Sequence, residues 1–224
     1  MKDNLINILA SSDLEGSKLF LLVFGIIAIC LVLFFFVVFL ALRFTEKQRY
    51  VNICGKRVYR IAMDLDYYLV NDFSFPTDEA SFVVINHILF GPRYIYIIND
   101  QYYRGVLEGE HEDLSWMFYP KGREEDKQII KNPILQNRKR IEKLVLLTGI
   151  DKNFFVSVVL FNNECYIDDI KTKSRNEYIS SVKQLSNLIE AVEKRPIEKM
   201  DPLALERAVQ DIARLRNQFK KRGQ

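Results

Sequence analysis

Twenty-four consecutive residues without a charge, Leu19 to Leu42, constrain this chain more than any other feature. The run reads LFLLVFGIIAICLVLFFFVVFLAL. As a helix it extends about 36 Å, at about 1.5 Å per residue, enough to cross a hydrocarbon layer of about 30 Å with some tilt. A signal peptide has an apolar stretch of only about 7–15 residues and a small-residue cleavage site. Arg43-Phe44-Thr45-Glu46 has no such character. A buried core helix rarely holds Phe34-Phe35-Phe36 inside an unbroken apolar window of this length. The run is therefore expected to be a transmembrane helix.

The flanks set an expected orientation. Lys2 and Lys18 precede the span, against Asp3, Asp13 and Glu15. Arg43, Lys47, Arg49, Lys56, Arg57 and Arg60 follow it, opposed by Glu46 and Asp64. Cytoplasmic flanks collect Lys and Arg, so the expectation is a single-pass protein of the cell membrane. Its N-terminus lies outside and its C-terminal domain in the cytoplasm. The lipid bilayer is then its first partner. Beyond the span the charge is mildly basic, which suits an anionic leaflet and is too weak to require nucleic acid. Cys30, Cys54 and Cys165 follow no metal or redox spacing and read as free thiols. His87 and His111, the only histidines, are too few for a His-based metal site and read as structural.

The chain divides on this reading into five parts. Residues 1–18 are a short extracytoplasmic segment, 19–42 the span and 43–54 a juxtamembrane tether. Residues 55–170 form a folded domain and 171–224 a helical C-terminal extension. Gly55 opens a helix whose Val58, Ile61, Ala62 and Leu65 lie on one face. Tyr67–Phe75, Ser81–Phe90 and Tyr94–Gln101 read as strands, with a weaker one over Tyr102–Leu107. Glu108 to Gln128 reads as a charged loop pinned by Trp116. Asn132-Pro133 is a cap and first-turn proline for a helix that ends before Gly149. Phe154–Phe161 is a continuous apolar run, as a buried strand requires. Two amphipathic helices follow, over Ser181–Lys194 and from Asp201-Pro202 onward. The stripe Leu205, Ala208, Val209, Ile212 and Phe219 must bury itself on its own core or on a protein partner, a second copy included.

Particular residues then fall into a known order. Gly55 opens the helix, Ile85-Asn86-His87-Ile88 lies in one strand and Ile97-Ile98-Asn99-Asp100-Gln101 in the next. Gly105, Gly109 and Trp116 follow, then Asn132-Pro133-Ile134-Leu135-Gln136-Asn137 and Val158-Val159-Leu160-Phe161. This set resembles the nuclease-related domain family, a branch of the PD-(D/E)xK nucleases, over about half the chain. The resemblance implies an α/β (α+β) fold, a restriction-endonuclease-like αβββαβ core followed by C-terminal helices. It implies a magnesium-dependent site with an aspartate, a glutamate and a lysine on the two strands and a glutamate on the helix. Here those places hold Asn86, Asn99, Gln101 and Lys56. Neutral amides do not offset a doubly charged ion as carboxylates do, and Gln101 brings no positive charge to a transition state. Asp78, Glu79, Arg104 and Glu108 are the nearest charged substitutes, and no spacing argues for them. Asp100 points away from Asn99 and Gln101 and reads as a surface charge.

The expected site is accordingly a binding cleft around His87, Asn132 and Gln136, with no catalytic residue and no cofactor. The expected function is a membrane-anchored binding or scaffold module. The alternatives are a divergent nuclease using magnesium and relocated carboxylates, or a nucleic-acid-binding protein. The last would contact phosphate through Arg138, Lys139, Arg140 and Lys143.

Overall fold

The structure is a computed structural model that describes residues 2–76, 82–121, 123–167, 170 and 174–222. It divides into two units, residues 1–49 and 50–224. The first is helical from Lys2 on, as the beginning of α1 (Lys2–Leu65). Among the described residues, the stretch from Val23 to Leu65 is the one helix long and apolar enough to cross a membrane. Its most apolar window has a mean hydropathy of 3.3, with none of it buried in the protein.

The second unit begins inside α1, so the expected tether at 43–54 is helix. The reason is legible in retrospect. No proline or glycine interrupts the chain between Gly25 and Gly55, and Tyr50 and Cys54 extend the stripe of Val58, Ile61 and Ala62 at helical spacing. Glu46–Asn52 therefore has no break to make it a loop.

The central sheet has five strands in the order β1 (Tyr68–Pro76), β2 (Phe82–Phe90), β3 (Ile95–Gln101), β7 (Phe155–Phe161) and β9 (Glu177–Ser181). The first three are antiparallel, and β7 and β9 continue parallel to β3. Ser81, expected to open β2, lies outside the described residues. Both faces of the sheet are covered, which is why β3 and β7 read as continuous apolar runs. On one face α1 and α3 (Leu185–Glu193) bury Cys54, Val58, Ile61, Leu185 and Ile189 against Tyr96, Ile98, Val158 and Leu160. On the other, α2 (Pro133–Thr148) and α4 (Pro202–Arg222) bury Ile141, Leu144, Ala208, Ile212 and Phe219 against Ile85, Ile88, Ile95 and Ile97. Each fully buried isoleucine contributes about 1.5–3 kcal/mol.

The αβββαβ order of α1, β1–β3, α2 and β7 is present. The C-terminal part is not an appendage. β9 is the fifth strand, α3 completes one face and α4 the other. The α4 stripe packs on the molecule's own core, so it is not a free surface for a partner.

The expected loop at 108–128 is largely sheet. β4 (Gly105–Glu108), β5 (Ser115–Pro120), β6 (Gln128–Lys131) and β8 (Cys165–Ile167) form a second sheet in the order β6-β5-β4-β8. It packs Leu107 and Trp116 on Ile134, Val159 and Phe161. Trp116 donates from Nε1 to Glu110 O at 2.9 Å. Its ring occupies the place a Cβ on Gly109 would take, so glycine is required there.

Candidate functional site

The candidate site lies where β2 and β3 part. Their ladder runs from Phe90↔Ile95 to His87↔Ile98. Alternation along β2 breaks at this end. Ile85 and Ile88, three residues apart, both pack on the α2/α4 face, where a regular strand would turn them to opposite faces. In β1 the same break separates Val70 from Phe73, and Asp72 between them has φ 52°. The paired kinks free the Asn86 side chain, whose Oδ1 accepts from Asp100 N at 3.2 Å. An amide thus closes the ladder where the strands separate, and its role here is structural.

Strand alternation assigns the rest of β3. Asn99 lies on the side of Ile97 and is 3% exposed. Gln101, half-buried, ends the strand on that same side. Asp100 takes the opposite side, with Tyr96 and Ile98. It is not the surface charge expected, since its side chain is only 2% exposed. His87 reaches it from β2, with Nε2 at 3.2 Å from Asp100 Oδ2 and Nδ1 at 2.7 Å from Asn71 Oδ1. The second carboxylate oxygen of Asp100 is buried without a hydrogen-bond partner among the described residues.

From α1, Cys54 and Tyr50 close over this group. Burial, then the charge of Asp100, pushes the Cys54 thiol up to about 12. Tyr50 donates to Leu160 O at 3.1 Å, and its phenol is likewise raised, chiefly by burial. A thiol so raised stays protonated and is a poor nucleophile. Lys56 does not join the amides. It is exposed and lines a groove with Arg57, Arg60 and Lys183.

The α2 residues divide by role. Asn132 is buried and caps the helix, its Oδ1 accepting from Ile134 N at 2.9 Å. Its amide nitrogen donates to His111 O at 3.0 Å and Asp113 O at 2.8 Å. One side chain therefore fixes both the helix start and the loop before β5. Gln136 donates back to Lys131 O at 3.2 Å. Asn137, given no role in the sequence reading, donates to Ile97 O at 2.8 Å and Ser157 Oγ at 2.9 Å, fastening α2 to β3 and β7. His87, Asn132 and Gln136 are thus held by three different sets of neighbours rather than facing one cleft.

The four bases on α2 do not share a face. Arg138 forks onto Glu177 through Nε at 2.7 Å and onto Glu112 through Nη1 at 2.9 Å. Those bonds raise its pKa and leave it no free donor edge for phosphate. Lys139 is exposed. Arg140 is half-buried, with Nε and Nη1 covered and unpartnered among the described residues, and burial lowers its pKa. Lys143 is half-buried and engaged. His111, missed as a site residue, is 1% exposed in its side chain between the same two carboxylates. Glu112 Oε1 lies 2.9 Å from Nδ1 and Glu177 Oε2 lies 2.7 Å from Nε2, close but not aligned as hydrogen bonds.

With this geometry in place the family comparison is decisive, because residues 55–162 match the family model of the nuclease-related domain. These residues form a nuclease-related domain. No curated protein and no solved structure matches the chain. The matched stretch of the nuclease-related domain ends just after β7, so β9, α3 and α4 cover its core from outside the matched boundaries.

Nuclease chemistry in this family implies a divalent cation held by carboxylates. The residues present do not fit one. The parting strands offer Asn86 and Asn99, and β2 and β3 together hold one carboxylate, Asp100, which is turned to the α1 face against His87. Among the described residues no three His, Cys, Asp or Glu side chains gather as a metal set. Asp78 and Glu79 lie outside the described residues. Arg104 is paired with Glu164 at 2.7 Å.

Proposed function

We propose that this chain is a single-pass membrane protein whose nuclease-related domain faces the cytoplasm and binds a partner without cutting nucleic acid. The observation that carries the reading is the disposition of charge on β2 and β3. The one carboxylate there is buried against His87, and the other polar positions are neutral amides. An uncompensated divalent ion in a low-dielectric cleft is too costly to hold on amides alone. The Lys and Arg excess after the apolar run supports the orientation, and that run supports the anchor.

Nuclease assays on the full chain in lipid nanodiscs test the proposal. Linear DNA and RNA substrates, incubated with magnesium and separately with manganese, are expected to stay intact. Calorimetry is expected to detect no magnesium or manganese binding at millimolar ion. Cleavage that disappears in an Asp100→Ala variant would overturn it.

A further inference from the structure

The second unit carries a groove of about 390 Å³ that the nuclease reading leaves unused. Its lining is Ile53, Lys56, Arg57, Arg60, Val182 and Lys183. Ile53, Lys56, Arg57 and Arg60 stand at i, i+3, i+4 and i+7 along α1, one face of the helix. Val182 and Lys183 close the groove from the turn between β9 and α3. Among the described residues, four of the six that line the groove are cations and none is acidic.

Three facts separate this groove from an ordinary solvated helix face. First, no ion pair engages Lys56, Arg57, Arg60 or Lys183 among the described residues. Arg138, Lys152 and Arg104 elsewhere in the domain all have carboxylate partners. Second, Arg57 Nε is covered and has no hydrogen-bond partner among the described residues, and a buried guanidinium N–H left unpaired is costly. Third, the fourth charge comes from a different element, so helical periodicity alone does not gather the cluster. Like charges held together repel unless an anion sits among them.

We infer that this groove binds a phosphate group. Arginine forks match phosphate oxygens and lysines add charge without geometric demand. Ile53 and Val182 give the groove an apolar wall for the carbon framework that carries the phosphate. That chemistry belongs equally to an anionic lipid headgroup and to a soluble phosphate compound. The inference is independent of whether the domain cuts nucleic acid.

The test uses the full chain in nanodiscs of phosphatidylcholine, followed by thermal unfolding with increasing inorganic phosphate. A second set of discs contains added phosphatidic acid and no free phosphate. Arg57→Gln, Lys183→Gln and the exposed control Lys127→Gln are compared with the parent. The expected result is stabilisation by phosphate, with affinity about fivefold weaker for each groove charge removed and unchanged in Lys127→Gln. Stabilisation in phosphatidic acid discs alone, lost in the two groove variants, also supports the site and assigns the phosphate to lipid. No stabilisation in either arm, or an equal loss in Lys127→Gln, overturns it. Lys183→Gln alters a turn rather than the helix, so it carries the test if Arg57→Gln does not fold.

Discussion

The two histidines of this chain are both buried, and their surroundings are opposite in kind. His111 sits between Glu112 and Glu177, and Arg138 spans the same two carboxylates with four hydrogen bonds of 2.7–2.9 Å. There the charge is closed, and it joins α2, β9 and the loop before β5. His87 faces Asp100 and the amide of Asn71, and Asp100 keeps one oxygen unpaired beneath Cys54. There the polar groups are few and the surrounding wall is apolar. The first arrangement is a clasp between elements. The second is a polar seam left where two strands of a nuclease-related core separate.

This contrast predicts unequal consequences of mutation. Arg138→Ala strips the counter-charge from Glu177, whose side chain is only 10% exposed. Removing one partner of such a pair costs about 3 kcal/mol, because the other charge stays in place uncompensated. Urea unfolding followed by the fluorescence of Trp116, the only tryptophan and 1% exposed, measures it. A loss below about 1 kcal/mol would mean that the clasp holds nothing together, as for an exposed pair.

A smaller effect belongs to the seam. The Cys54 thiol is raised from 9.0 to about 12 in the folded protein. Between those values the unfolded chain loses its thiol proton while the folded one keeps it. The unfolded state therefore binds fewer protons, and stability falls as pH rises. Cys54→Ala should flatten that fall by about 1 kcal/mol between pH 9 and 10, since one pKa unit corresponds to about 1.4 kcal/mol. Parallel unfolding curves at the two pH values give the difference directly. An unchanged slope would place Cys54 in contact with solvent.

What the sequence disclosed follows from how local each signal is. The apolar run, the continuous β3 and β7, and the Asn132-Pro133 to Gly149 helix are each written in one stretch of chain. Gly149 adopts φ 71° and donates to Val145 O, as a helix terminator should. β5, β6, β8 and β9 are short and mixed in polarity, and only their partners make them strands. The family order led to Asn86, Asn99 and Gln101, yet not to their neighbours. Asp100 meets His87 from 13 residues away, and Arg138 meets Glu177 across 39. Strand alternation placed Asp100 on the far face correctly. It failed to show that α1 covers that face, because residues 43–54 were read as a tether instead of helix.

Asp100→Asn makes the finest test of the contrast. The substitution keeps shape and removes the one carboxylate on β2 and β3. It weakens a charge-assisted contact to His87, which by itself costs about 1.5–3 kcal/mol. It also ends the burial of a carboxylate with an unpaired oxygen, a penalty of similar size and opposite sign. The amide can still accept from His87 or donate elsewhere. The net change is expected within about 1 kcal/mol of zero, in the same urea assay that registers the loss in Arg138→Ala. Should Asp100→Asn instead cost as much as Arg138→Ala, the carboxylate must be answering a positive charge that His87 alone does not supply. The seam would then be a charged site in its own right, and the proposal that the domain holds no catalytic metal would fail.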